Sequence, residues 1–244
     1  MGRIRAVTFD FWDTLFPSLG RDGGRTPADY RVEILQDFLA ARGKKLPVNR
    51  LREAHDRAEQ RLFDHWRTDL RYSGPETAVQ DMAESLGIGF TGPDADELIE
   101  LFQMTSQVPR IVPFDGVARL LTQMAREYRL GIVSDVWLTP GSVLRQILRG
   151  QGLLELFKAT VFSDETRYLK PHERQFDAAV QVLGAERAEV VHIGDSERRD
   201  AAGAADFGLR SLLLAWDGKA DGSRADRVIF DIREAHDAVR ALED

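Results

Sequence analysis

The chain contains no cysteine among its 244 residues. This absence excludes disulfide bonds, a thiol nucleophile and a zinc site built from thiolates. Long apolar runs are also missing, so the sequence offers no candidate for a membrane-spanning helix. Asp10 and Asp13 interrupt the first apolar stretch early, which is not how a signal peptide is built. We therefore expect a cytoplasmic protein that does not bind membranes.

Basic residues are also fewer than acidic ones. The chain has 33 Lys and Arg residues against 40 Asp and Glu residues, and its formal net charge is −7. This balance gives no electrostatic reason to expect binding to nucleic acid or to an anionic membrane surface. The hydrophobic content of 43% is sufficient for a conventional core. We therefore expect a folded protein that binds neither nucleic acid nor an anionic membrane surface.

The hydrophobic pattern changes twice along the chain. A short apolar strand at residues 4–9 precedes a stretch rich in Gly and Pro, residues 17–26. From residue 27 to about residue 106, apolar residues recur only at helical spacing. The same spacing predicts helices from Val48 to about Arg71, from about Asp94 to Ser106 and, later in the chain, from Pro171 to Leu183. From residue 111 onward, short apolar runs alternate with helical segments, which is typical of a parallel sheet covered on both faces. We therefore predict an α/β fold in which the helical block is an insertion.

Polar residues follow four of the predicted strands. The loops after the strands of such a sheet meet at one edge, so these residues can share a pocket. Each loop alone is weak evidence, because a Ser at a strand end is commonly a helix cap and Gly-Asp-Ser occurs in turns. Their regular order favours a common site. In chain order they are Asp10, Asp13 and Thr14, then Ser134 and Asp135, then Lys170, then Asp195 and Asp200.

These residue types suit one kind of chemistry. A carboxylate can act as a nucleophile and form a covalent intermediate that water later hydrolyses. If the electrophile is a phosphoryl group, a hard divalent ion such as Mg²⁺ offsets its charge and that of neighbouring carboxylates. Ser134 and the backbone N–H groups after it can hold phosphate oxygens. Lys170 can stabilise the transferring group or orient Asp10.

At this point the sequence resembles the haloacid dehalogenase superfamily of hydrolases. The resemblance extends over the whole chain and includes all four motifs of that superfamily in order. The matching segments are FDFWDTL, IVSD, LKPHERQF and HIGDSERRDAAGAADFGL. The resemblance implies a Rossmann-like core and a helical cap inserted after the first motif. In this chain the core would comprise residues 1–16 and 109–244, and the cap residues 17–108.

The resemblance also implies roles for individual residues. Asp10 would be the nucleophile, and Lys170 would stabilise charge and contact the substrate. Ser134 and its neighbour Asp135 would bind the phosphate or product. The predicted Mg²⁺ ligands are Asp10, the backbone carbonyl of Trp12, Asp195 and Asp200, the last in or beside the metal shell.

Trp12 departs from the pattern of the superfamily's phosphatases. Those enzymes usually carry a second Asp two residues after the nucleophile, as general acid and base, and Trp12 occupies that position. An indole N–H only donates hydrogen bonds and cannot transfer a proton in this way. The next acid is Asp13, which is either a replacement proton donor or a residue that begins a turn.

Three functions remain open at this point. The first is a Mg²⁺-dependent phosphatase that uses good leaving groups or a proton from Asp13 or the cap. The second is a dehalogenase, because a departing halide needs no proton. The third is a non-catalytic module that binds phosphate. The superfamily's dehalogenases lack the Gly-Asp pair that contains Asp195, so the fourth motif favours the phosphatase. Without a cation, Asp195 and Asp200 would repel an ionised Asp10.

The cap sequence is less informative. Arg67 or Arg71 could bind a substrate anion, although an exposed position on a helix is the expected one. We expect His55 and His65 at the surface. His192 lies within a predicted strand and is expected to pack in the core.

Overall fold

A computed structural model describes residues 3–21, 23–103 and 111–243 of the chain. In these residues one sheet of six parallel strands has the order β3-β2-β1-β4-β5-β6. The predicted α/β class with a Rossmann-like parallel sheet is confirmed. The strands are β1 Ala6–Phe9, β2 Arg129–Ser134, β3 Phe157–Phe162, β4 Val190–Gly194, β5 Arg210–Leu214 and β6 Arg227–Ile229.

Strand β1 lies in the middle of the sheet and determines where the polar loops meet. It pairs in parallel with β2 on one side and with β4 on the other. All four of its residues are buried, as expected of a central strand whose two faces are covered. Strand order reverses at β1, and open α/β sheets bind their ligands outside the carboxyl ends of the strands at this kind of point.

Helices cover both faces of the sheet and form a separate group between β1 and β2. Two buried hydrophobic clusters lie on the sheet, one of them containing Phe9 and the other Ala6. The helices of the described residues are α1 Pro27–Ala41, α2 Val48–Arg67, α3 Pro75–Leu86, α4 Gly92–Gln103, α5 Val117–Met124, α6 Gly141–Gly150, α7 Ser163–Thr166, α8 Glu173–Leu183, α9 Ala202–Phe207 and α10 Ala235–Arg240.

Helices α1 to α4 share a hydrophobic cluster of their own. No strand of the sheet occurs within residues 27–103, all of which are described. Helix α1 begins as the sequence predicts, because the Thr26 side chain and Asp29 form a reciprocal capping box and Pro27 follows. That this group is a cap hinged to the core stays a prediction. Its second boundary, at residues 108 and 109, lies outside the described residues.

Some helix ends differ from those predicted. Helix α2 ends at Arg67 rather than near Arg71, because Leu70 takes a left-handed backbone conformation with a φ of 55° that no helix contains. Helix α8 begins at Glu173 rather than Pro171. The predicted end of α4 at Ser106 lies outside the described residues. Within those residues, no helix is long and apolar enough to cross a membrane.

The helical group touches the sheet domain beside the third motif. The Tyr72 hydroxyl donates to the Trp137 carbonyl at 3.1 Å, and the Leu169 N–H donates to the Leu70 carbonyl at 2.7 Å. Leu138, from the loop after β2, is buried within the hydrophobic cluster of the helical group. The helices therefore contact the loops at the carboxyl end of the sheet.

Candidate active site

The predicted nucleophile and the predicted lysine are in contact. Lys170, only 2% exposed, donates from Nζ to Asp10 Oδ1 at 2.7 Å and to Asp200 Oδ1 at 2.6 Å. Burial lowers the pKa of Lys170, but the charges of Asp10, Asp200 and Asp135 outweigh this and raise the pKa overall. The ammonium is therefore charged at neutral pH and fixes the orientation of the Asp10 carboxylate.

Asp200 is held on three sides. Besides Lys170, its carboxylate accepts from the Ser196 N–H at 2.9 Å and lies 3.1 Å from His192 Nε2. Burial alone would raise the pKa of Asp200, but Lys170 and the hydrogen bond with His192 lower it overall. Gly194 leaves room for this carboxylate, since a Cβ there would lie 2.2 Å from Asp200 Cγ. Packing against Asp200 therefore requires the glycine of the Gly-Asp pair in the fourth motif.

His192 is a core residue, as predicted, and it also supports the site. Its ring is fully buried, and Nδ1 lies 2.9 Å from Thr8 Oγ1 while Nε2 faces Asp200. Burial lowers the pKa of His192. The sequence pattern indicated its burial but not its bond to Asp200.

Three carboxylates form a group with room for a cation. Asp10, Asp195 and Asp200 each present an oxygen, and these atoms lie within 4.8 Å of one another. Asp195 Oδ1 is buried and has no hydrogen-bond partner. Burial, then the charges of Asp10 and Asp200, raise the pKa of Asp195 to about 7. Carboxylate oxygens are the ligands that Mg²⁺ prefers, so this donor set fits the predicted ion. Asp200 is already bonded through both oxygens, which leaves Asp10 and Asp195 better placed as direct ligands.

Ser134 and Asp135 follow β2 at the same edge of the sheet. Ser134 is 1% exposed, and its hydroxyl lies 3.4 Å from the Asp135 carbonyl. Asp135 Oδ1 accepts from the Lys170 backbone N–H at 2.8 Å, while Oδ2 is buried without a partner. Burial raises the pKa of Asp135 to about 6. Asp135 therefore connects the second motif to the third.

Asp13 lies in a tight turn and contacts residues of that turn. Its backbone is left-handed, with a φ of 55°. Oδ1 accepts from the N–H and the hydroxyl of Ser18, both at 3.0 Å, and from Arg21 Nη1 at 2.6 Å. Asp13 also lines the cavity above the site. The turn role that the sequence allowed is thus present, and a role in proton transfer stays a prediction.

A cavity of about 460 Å³ lies between the helical group and the sheet edge. Its wall includes Trp12, Trp66 and Trp137 together with Leu62 and Phe63. The polar and charged side chains of the wall are fewer, and they come from both parts of the molecule. They are Asp13, Ser18, Arg31, Glu59, Asp135, Thr139 and Arg199.

Two arginines of this cavity escaped the sequence analysis. Arg31 of α1 is buried, and Arg199 lies close enough to four carboxylates that they raise its pKa despite burial, which lowers it. The signal for Arg31 was its spacing, because it falls four residues before Leu35 and seven before Phe38 on the apolar face of α1. Arg199 sits within the fourth motif, where only the acids had been considered.

The predicted positions of the cap residues were partly wrong. His55 is 1% exposed rather than at the surface, because it follows Leu51 by four residues and precedes Leu62 by seven on the buried face of α2. Arg67 and Arg71 are exposed, as expected, although Arg71 lies beyond the end of α2. They do not line the cavity, whereas Arg31 does.

The chain is similar to several curated proteins of one family. It is 30% identical over 151 residues to haloacid dehalogenase-like hydrolase domain-containing protein 3 of Bos taurus, covering 62% of this chain and 53% of that protein. It thus spans about half of that relative's length. It is 28% identical over 213 residues to (S)-2-haloacid dehalogenase of Xanthobacter autotrophicus, covering 87% and 75%. It is also 25% identical over 214 residues to human N-acylneuraminate-9-phosphatase, covering 87% and 83%.

Solved structures and sequence families agree on the fold. The 2-haloacid dehalogenase of Pseudomonas syringae pv. Tomato DC3000 superposes with a TM-score of 0.72 at 24% identity, covering 99% of this chain and 100% of that one. The family description that matches residues 4–208 is that of a haloacid dehalogenase-like hydrolase. The chain therefore belongs to the haloacid dehalogenase-like hydrolases.

Proposed function

We propose that this hydrolase is a Mg²⁺-dependent phosphatase acting on a small phosphorylated metabolite. The observation that carries the proposal is the unpartnered, buried Oδ1 of Asp195 beside Asp10 and Asp200. Grouped carboxylates with an orphaned oxygen are costly unless a cation joins them. Phosphatases among the similar proteins support the same assignment.

Asp10 is the nucleophile of the proposed reaction. Because Lys170 holds Oδ1, the other oxygen, Oδ2, attacks phosphorus, and the bond from phosphorus to the leaving oxygen breaks. Water then attacks the phosphorus of the aspartyl phosphate, releasing inorganic phosphate and restoring Asp10. When bound, Mg²⁺ would be held by Asp10, Asp195 and the Trp12 carbonyl, beside Asp200, and would offset the negative charge of the phosphoryl group.

Neighbouring residues position the reacting groups. The Lys170 ammonium stabilises charge that develops on the phosphoryl oxygens, and Asp200 keeps that ammonium in place. Ser134 and the Asp135 backbone N–H hold the phosphoryl oxygens, whereas the Val136 N–H donates to Ser163 Oγ at 2.9 Å. Asp135 fixes the backbone of Lys170 and, through its place on the cavity wall, meets the substrate.

The leaving oxygen needs a proton when it is an alkoxide. Trp12 occupies the position from which phosphatases of the superfamily supply that proton. Asp13 is the candidate replacement, acting through Oδ2 because Oδ1 is bonded to Ser18 and Arg21. Without such a donor, the enzyme turns over only esters with good leaving groups. An Asp13→Asn variant separates the two, because loss of a proton donor costs about 10² in rate with alkyl phosphates and little with aryl phosphates.

A dehalogenase is the second candidate, and the wall of the cavity favours it. Aromatic and aliphatic side chains dominate that wall, with Trp12 in place of the acid. In this reaction Asp10 displaces a halide from carbon, so a C–O bond forms, a C–halogen bond breaks and no proton is needed. The similar (S)-2-haloacid dehalogenase gives this candidate its support.

One screen decides between these functions. Phosphate release from aryl, acyl and alkyl phosphates and halide release from 2-haloacids are measured with Mg²⁺ and with excess chelator. The proposal expects phosphate release that disappears in chelator. Halide release unaffected by chelator would establish the dehalogenase, and phosphate binding without either release would establish the non-catalytic module.

A further inference from the structure

The side of the cavity formed by the helical group carries a buried guanidinium without a carboxylate partner. Arg31 is 5% exposed, and among the described residues no carboxylate lies within 4.0 Å of its nitrogens. Its Nε has no hydrogen-bond partner. Its Nη2 lies a long 3.4 Å from Thr139 Oγ1, and Cζ lies 5.3 Å from the centre of the Trp137 ring.

A buried and unpaired charge opposes folding, so it calls for a reason. Burial lowers the pKa of Arg31 to about 10, which still leaves the side chain charged at pH 7. The indole Nε1 of Trp66, on the same cavity wall, is also buried without a partner. Two residues that line one cavity thus each keep a donor without a partner, which indicates that a ligand supplies acceptors.

We propose that Arg31 binds a carboxylate of the substrate, so that the substrate is a small carboxylic acid whose reacting group is held at Asp10. The planar fork of a guanidinium matches the two oxygens of a carboxylate. The identity of the reacting group rests on the proposed function. A carboxylated phosphate ester and a halogenated acid both present this carboxylate.

Glu59 provides a second test, in which the expected change in carboxylate binding is opposite to that for Arg31. It lines the same cavity, and burial raises its pKa while the charge of Arg31 lowers it. It is close enough to influence Arg31, yet the two form no ion pair within 4.0 Å. A bound carboxylate would meet repulsion from Glu59. Glu59→Gln should therefore strengthen carboxylate binding, whereas Arg31→Met should weaken it.

The test measures binding without turnover. Phosphonocarboxylates with one, two or three methylenes are titrated into the Mg²⁺-loaded protein by calorimetry, beside the alkylphosphonates that lack the carboxylate. At least one chain length should bind about 10- to 100-fold more tightly than its alkyl counterpart, the value of a charge-assisted bidentate contact. Arg31→Met should abolish this ratio and leave alkylphosphonate binding unchanged. Glu59→Gln should increase the ratio several-fold.

Two controls separate binding from folding. Arg50→Met, on the exposed first turn of α2, should leave the ratio unchanged. The melting temperature of the ligand-free Arg31→Met protein should equal or exceed that of the wild type, because an uncompensated buried charge is removed. A ratio that survives in Arg31→Met, or a wild type that binds both ligand series equally, overturns the inference. If neither series binds, the inference is overturned when Arg31→Met leaves the KM for 2-chloropropionate unchanged.

A separate assay distinguishes failure of the proposed phosphatase activity from failure of the proposed carboxylate contact. Hydrolysis of 4-nitrophenyl phosphate, which has no carboxylate, reports the phosphatase alone. If that hydrolysis is absent while 2-chloropropionate releases chloride and Arg31→Met raises its KM, the phosphatase is wrong and the carboxylate contact stands. If hydrolysis is present and Arg31→Met binds the phosphonocarboxylates like wild type, the phosphatase stands and the carboxylate contact is wrong.

Discussion

Buried charges are paired at the sheet edge beneath the cavity and unpaired on the side formed by the helical group. At the sheet edge, Lys170 lies between Asp10 and Asp200, and Asp200 is further bonded to His192 and Ser196. Across the cavity, Arg31 is buried with no carboxylate in contact among the described residues. The first wall is organised in advance for chemistry, which requires fixed groups. On the second, Arg31 has a charge that we propose a ligand pairs. We call the group of Asp10, Lys170 and Asp200 the organised wall and the side that carries Arg31 the reserve wall.

The largest effect should follow from removing the nucleophile at the organised wall. Asp10→Asn keeps the shape of the side chain but removes the charge that attacks. We expect turnover to fall by about 10⁴ or more, since the remaining groups only bind and stabilise. Phosphate or halide release measures the rate, and mass spectrometry of quenched reactions should find no covalent adduct. Retention of more than a tenth of the wild-type rate would exclude Asp10 as nucleophile.

A smaller effect should follow from breaking the pairing of Lys170. Asp200→Asn leaves that buried ammonium with one carboxylate instead of two and should lower the free energy of unfolding by about 3 kcal/mol. Urea unfolding monitored by circular dichroism measures the loss. Asp206→Asn is the matched control, because Asp206 pairs with Arg224 in an exposed position and should change stability little. Equal losses in both variants would show that the buried pairing contributes no more to stability than the exposed pair.

Trp12 offers a way to improve the organised wall. Trp12→Asp introduces an acid at the position where phosphatases of the superfamily carry it and should raise alkyl phosphate turnover about 10²-fold. Trp12→Asn is the control, because it creates nearly the same cavity without a group that transfers protons. If both variants gain equally, space rather than proton transfer was limiting. The ratio of alkyl to aryl phosphate rates is the quantity to compare.

His55, on the buried face of α2, predicts a pH dependence of stability. Burial, then the charge of Arg31, lowers the pKa of His55 to about 4, whereas the unfolded chain has an ordinary His value of about 6.5. The unfolded state binds more protons between these values, so His55 makes stability fall as pH drops below 6.5. At pH 5 its contribution is a loss of about 2 kcal/mol relative to pH 7.

Replacement of His55 tests that sign. His55→Phe should lose less stability than the wild type between pH 7 and pH 5 in urea titrations. His65→Phe, on the exposed part of the same helix, should follow the wild type. Parallel pH profiles for all three proteins would contradict the assignment.

The organised wall could be predicted from the sequence, and the reserve wall could not. Short apolar runs followed by Asp10, Ser134, Lys170 and Asp195 indicate both the strands and the edge where they end. Periodicity places a residue on a helix face but does not show what that face contacts. Because charged residues usually face water, His55 was expected at the surface and Arg31 was given no role. Only the packing of the helical group onto the loop after β2 shows that these residues are buried.

The bonds within the organised wall also needed the structure. The order of the motifs brings Lys170 and Asp200 to the same edge, but not to 2.6 Å from each other. That contact depends on the depth of the loops after β3 and β4, which neighbouring side chains such as His192 determine. The function of Asp200 as a partner of Lys170 is therefore a property of the fold rather than of the motif.

Calorimetric titration of Mg²⁺ asks whether the unpartnered oxygen of Asp195 is a metal ligand. We expect the wild type to bind one Mg²⁺, Asp195→Asn to bind none, and phosphate release to be lost with the binding. Binding of Mg²⁺ by both proteins alike, or by neither while phosphate release persists, would contradict this expectation.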